Sequence, residues 1–263
     1  MLHADRKKVT WEHLYKNIYK KDDWSFWGLL NFEEIDNNGC IIFKAECDIE
    51  WTDANEKYRE FARNHGKEFK ISGDADFGDL KNNKCGCDSF IPNAEAEMHK
   101  FPNFSLMPCT GSMNVKKGQL NSGCNDRFHT FIYVLSEYYE IKKEKKVERR
   151  EYVKNELFFR GRLKNEYVED YVDTLNEFLT LFDNIYDYCD KMYHLNGEEG
   201  RQYVEKLIRA GEAIKTGKKE YNVEEYCNLA TEYWKIKKDF LLQRIPKKSQ
   251  DFIDKNIDDS EYE

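Results

Sequence analysis

Between residues 101 and 139 the chain reads FPNFSLMPCTGSMNVKKGQLNSGCNDRFHTFIYVLSEYY, and side chains able to do chemistry crowd together there. Asn114 offers an amide that donates and accepts, Lys116 and Lys117 offer ammonium groups, and Asp126 and Arg127 stand at the start of a periodic apolar run. Lysine, arginine and the N–H groups of a helix N-terminus all attract an anion. We therefore read Asn114, Lys117, Gly118, Asp126 and Arg127 as a candidate binding set for an anionic small molecule such as a nucleotide. Lys117 and Arg127 would supply charge, Asn114 would read a neutral edge, and Asp126 would orient Arg127 or cap the helix. The same residues also fit local roles: Asp126 as a cap, Arg127 as a surface ion pair, and Asn114 and Gly118 as turn residues with positive φ.

The elements that must position this set are legible on either side of it. Residues 103–107 can form a short strand, and Pro108-Cys109-Thr110-Gly111 turns it into the loop that carries Asn114. Asn125 or Asp126 can cap a helix along which Phe128, Phe131, Ile132, Leu135, Tyr138 and Tyr139 recur at helical spacing. Upstream, Thr10 and Thr52 can cap two further helices, 40–47 reads as a strand, and 67–71 reads as another short one. Downstream, the charged run 140–154 is expected to be an exposed helix extension or connector. The apolar stripe over 167–192, closed by Asn196-Gly197, predicts one helix of about seven turns. A third long helix should stop near Gly217, and a fourth should run from Val223 to about Arg244, ahead of Pro246.

Of 263 residues, 15% are aromatic, 17 each being Tyr and Phe, which is ample material for a core and excludes wholesale disorder. The net charge of −8 argues against extended nonspecific binding to nucleic-acid phosphates. No apolar run approaches membrane-spanning length, so no membrane partner is expected. The opening residues Met1-Leu2-His3-Ala4-Asp5 do not read as a signal peptide, so a cytoplasmic protein of a bacterium or phage, with its eight cysteines reduced, is the expectation.

Two features bear on metals. Cys85, Cys87, Cys109 and Cys124, with His99 between them, could supply zinc ligands, but they lack the paired C-x2-C spacing of structural sites, and scattered thiols are the better reading. Gly73-Asp74-Ala75-Asp76-Phe77-Gly78-Asp79 places three carboxylates in six positions, where a hard cation is chemically conceivable. Lacking the full calcium-loop pattern, it reads as a solvated turn. No cofactor is expected.

The order Asn114-x-x-Lys117-Gly118, then Asp126-Arg127-Phe128, then helices rich in Phe, Leu and Tyr (Phe178, Leu181 and Phe182 among them), resembles a bacterial and phage family carrying a domain of unknown function. Its pattern is N-x-x-[KR]-G followed by D-R-F, and it covers about a third of the chain. The resemblance implies a shared fold and site, and no activity. A second series, Asp88-Ser89-Phe90-Ile91-Pro92, then 103–107, then Asn114 to Gly118, is similar to the ββα site of HNH nucleases. That resemblance implies a divalent metal and catalysis by Asp88, His99 and Asn114. Ser89 stands where the family's water-activating histidine belongs, and a serine is no base near neutral pH without one beside it.

The expected fold class is α+β, predominantly α, with a small N-terminal α+β part packed on long C-terminal helices. The divisions are 1–125 for the N-terminal lobe, 126–246 for the helical lobe, and 247–263 for an acidic tail. At least two thirds of 126–244 should be helix. Functionally the chain reads as an accessory protein, in defence or counter-defence, with a pocket for an anionic ligand. The alternatives are an HNH-like nuclease, degenerate or active, and an acidic factor that binds a protein partner without catalysis.

Overall fold

The structure is a computed structural model. It describes the backbone of residues 31–35, 40–44, 69–77, 104–108, 128–158 and 165–244. These residues are predominantly helical.

Helix α1 (Phe128–Glu140) is the centre of the body. It carries apolar or small side chains on nearly every side, and Phe128, Phe131, Ile132, Val134, Leu135 and Tyr138 are fully buried. A helix apolar almost all round belongs inside a core rather than on its surface. Each large apolar side chain so buried contributes about 1.5–3 kcal/mol, several times what an exposed ion pair gives. Apolar burial therefore holds the body together.

Helix α2 (Lys146–Tyr152) runs into a π-helical turn (Val153–Leu157), then come α3 (Asn165–Thr180), α4 (Ile185–Tyr193), α5 (Gly197–Lys215) and α6 (Val223–Arg244). α5 lies along α1 at a distance only glycine permits: a Cβ on Gly211 would stand 2.2 Å from the carbonyl oxygen of His129. Gly217, with φ of 69°, closes α5 as its sequence position predicts. α6 has the bounds expected from sequence, opened by Asn222, whose Oδ1 accepts the Glu225 N–H at 3.2 Å.

Two expectations for the helical part change. The stripe over 167–192 is not one helix: α3 stops at Thr180 and α4 starts at Ile185. Asn184 Oδ1 accepts the N–H groups of Tyr186 at 2.9 Å and Asp187 at 3.0 Å, while Asp187 Oδ2 takes the Asp183 N–H at 2.9 Å. These short side chains out-compete the helical carbonyls for the backbone donors and restart the helix. The apolar period survives because Phe178, Leu179, Phe182, Ile185 and Cys189 all still face the core. α4 then ends on His194 in the left-handed region (φ 59°), and Gly197 opens α5 rather than closing the helix before it.

The charged run 140–154 is exposed only in part. Arg149 is 4% exposed, its Nε donating to the Ile141 carbonyl at 2.7 Å and its guanidinium lying 4.9 Å from the Tyr138 ring centre. Arg150 binds Asp173 at 2.5 Å and Glu169 at 2.7 Å, and Lys154 binds Glu169 at 2.6 Å, which ties α2 and the π turn to α3.

Tyrosines act as two-ended pins. Their rings fill the core while their hydroxyls reach polar groups of neighbouring elements: Tyr138 to Asn176 Oδ1 at 3.1 Å, Tyr139 to the Leu179 carbonyl at 3.1 Å, Tyr152 to the Val134 carbonyl at 3.0 Å, and Tyr203 to the Leu229 carbonyl. This is how a buried phenol satisfies its polar end.

In the N-terminal part, β1 (Asn31–Ile35), β2 (Cys40–Lys44), β3 (Phe69–Ala75) and β4 (Phe104–Pro108) pair antiparallel in that order. β2 ends at Lys44, short of the expected 47, and β3 runs past the expected 71 to Ala75. β3 leads directly into Asp76 and Phe77, both buried. The expected helices at Thr10 and Thr52 and the tail 247–263 lie outside the described residues.

Candidate functional site

Every residue chosen from sequence for binding or catalysis, namely Asn114, Lys117, Gly118, Asp126, Arg127, Asp88 and His99, lies outside the described residues. So do Cys85, Cys87, Cys109 and Cys124. What is described is the anchorage immediately after Asp126-Arg127. Phe128 is fully buried, and its N–H donates to the Tyr226 hydroxyl at 3.3 Å. Its ring meets Phe77 at 4.9 Å and Tyr193 at 4.9 Å, both edge-on. Beside it, His129 is 4% exposed, its ring 5.1 Å from that of Tyr226 and 6.1 Å from that of Tyr221. The start of α1 is thus gripped by aromatic rings from α4, α6 and the segment after β3.

Beneath this start lies a charged cluster. Asp76 and Lys237 are each 1% exposed, with Lys237 Nζ 3.0 Å from Asp76 Oδ2. The same oxygen accepts the Tyr233 hydroxyl, one helical turn before Lys237, and the ammonium lies 5.3 Å from the Tyr233 ring centre. The acidic segment is therefore not simply a solvated turn: Asp76 turns inward to meet α6. An ionised carboxylate buried without a partner would be very costly, so the cation and the phenol are what allow it there. Its charge is felt further in, at Tyr193 and Tyr203, whose hydroxyls burial already pushes well above the usual phenol range and whose ionisation Asp76 opposes further. Chemically the cluster is a lock between the segment after β3 and α6.

No protein-family model, curated protein or solved structure matches the chain.

Among the described residues no group of His, Cys, Asp and Glu is placed to hold a metal ion. Cys189 and Cys227 are buried, and burial pushes the Cys189 thiol well above the normal thiol range, which suits an inert core residue rather than a nucleophile. No described helix is long and apolar enough to cross a membrane. Sequence reasoning missed Tyr233 and Lys237 as polar partners. The available signal was Lys237 itself, which stands four residues after Tyr233 on the stripe that includes Ala230 and Phe240.

Proposed function

We propose that this chain is a cytoplasmic accessory protein that binds a small anionic, phosphate-bearing ligand through Asn114, Lys117, Gly118, Asp126 and Arg127. The observation that carries this reading is the anchorage of Phe128, one residue after Arg127: a fully buried ring and an N–H held by Tyr226. Binding residues work best when a rigid element fixes the chain beside them. Arg127, one residue before a pinned helix start, has that support, and a helix N-terminus adds partial positive charge where an anion would sit. In this reading residues 1–125 form an α+β lobe carrying Asn114 and Lys117 next to the helical body. The nuclease alternative rests on the order of Asp88, Asn103 and Asn114 alone, with Ser89 in place of the histidine.

Titration of the full chain with inorganic pyrophosphate tests the proposal. Arg127→Ala should abolish saturable binding while leaving the urea unfolding midpoint unchanged, and Lys117→Ala should weaken it by about tenfold. Undiminished binding by Arg127→Ala, or a variant that chiefly unfolds, would sink the reading.

A further inference from the structure

We propose a second anion site, independent of the one above, in the cleft between α5 and α6, shaped for a phosphomonoester with an apolar body such as a nucleoside monophosphate. α5 places Lys206, Arg209, Ala210 and Ala213 at i, i+3, i+4 and i+7, which puts all four on one helix face. Opposite stands Leu229 of α6, and Lys219 comes from the turn between the helices. Because the floor is two alanines and a leucine, the helices leave about 350 Å³ open between them. That volume lies at the small end of ligand pockets, enough for one mononucleotide-sized molecule and too little for a polymer.

The charges at the rim are not equivalent. Lys206 binds Glu232 at 2.5 Å and Lys219 binds Glu225, so each lysine reaches across to a carboxylate of α6 and is neutralised by it. Glu212 is likewise held, by Lys218 at 2.6 Å. Arg209 lines the same cleft and makes no hydrogen bond or ion pair among the described residues. Of the cleft's three cations and the two α6 carboxylates, Arg209 is therefore the charge left over. A guanidinium presents a planar fork of N–H donors that matches two phosphate oxygens at once, which a lysine cannot do. The apolar floor would take the base or ribose face while Arg209 holds the phosphate.

The experiment is calorimetric titration of the full chain with AMP, with adenosine as the uncharged control. Saturable AMP binding is expected, with adenosine weaker by about tenfold or more. Against an Arg127→Ala background, which removes the first site, Arg209→Ala should reduce AMP affinity to the adenosine level without moving the unfolding midpoint, Arg209→Lys should recover only part, and Ala213→Leu, which fills the floor, should weaken AMP and adenosine alike. Arg127→Ala should leave AMP binding at this cleft intact, which separates a failure here from a failure of the first site. Absence of saturable AMP binding at about 1 mM, equal affinity for AMP and adenosine, or undiminished affinity when Arg209→Ala is added to Arg127→Ala each overturns the cleft proposal. Loss of AMP binding in Arg127→Ala alone would assign it to the stretch before α1, and would overturn it too.

Discussion

Asp76, Tyr233 and Lys237 show what a single buried charge demands of its neighbours. Removing the carboxylate leaves the ammonium of Lys237 at 1% exposure without its counter-ion, and such losses cost about 3–5 kcal/mol. Asp76→Ala is therefore expected to lower stability by about that amount in urea unfolding. The double variant Asp76→Leu with Lys237→Met, which replaces the pair by apolar groups, should recover most of the loss; a double variant as unstable as the two single changes added together would show that the pair is not coupled. Gly211→Ala is a second test at this scale. The added methyl meets the His129 carbonyl, and overpacking of about 1–3 kcal/mol should outweigh the roughly 1 kcal/mol that alanine returns through helix propensity. Neither residue announces itself in the sequence. Three aspartates around a glycine turn look like solvent-facing charge, because nothing local in 73–79 names a lysine 161 residues from Asp76. Gly211 sits inside a good helical period, where its missing side chain signals only weakness until the helix it touches is known.

The elements were far more legible, and the exception is instructive. The stop of α5 and the bounds of α6 follow from Gly217, Asn222 and Pro246, since those residues act on their own backbone within a few positions, whereas Gly197, expected to close a helix, opens α5. The same locality should have marked Asn184, but an unbroken apolar stripe across 178–189 outweighed it, because two helices meeting at a cap can keep their apolar faces in line. Asn184→Ala removes the acceptor for two amides at the start of α4 and should cost about 1 kcal/mol, measured by thermal unfolding. Unchanged stability would mean that Asp187 and tertiary packing alone hold the restart. The run 140–154 misled in the opposite way. Composition averages over faces, so a helix that is charged nearly everywhere hides the one arginine, Arg149, that turns inward.

At the scale of the molecule, tyrosine sets the alkaline limit. Burial pushes the Tyr138 hydroxyl from 10 up to about 12, and burial with the Glu137 hydrogen bond does the same for Tyr133, while Tyr139, Tyr193 and Tyr203 are raised as well. Above pH 10 the unfolded chain sheds these protons and the folded chain keeps them, so stability present below pH 10 should fall as pH rises towards about 12. The urea midpoint should hold steady from neutrality to about pH 10 and fall between there and about pH 12. A midpoint that stays constant across that window would contradict this. The helical body could be anticipated as a whole because its periodicity extends over most of its length. The candidate site lies outside the described residues, and the sequence alone does not say what lies across from Asn114, Lys117 and Arg127, which stand among turn formers. The lock between Asp76 and Lys237 also bears on how the chain is made. At ordinary elongation rates of roughly 5–20 residues per second, Asp76 is synthesised roughly 10–30 s before Lys237. For that interval its carboxylate can only be solvated by water or borrowed partners. Joining the segment after β3 to α6 is consequently a late event of biosynthesis, and a nascent chain stalled short of residue 237 has no native cation to draw Asp76 inside.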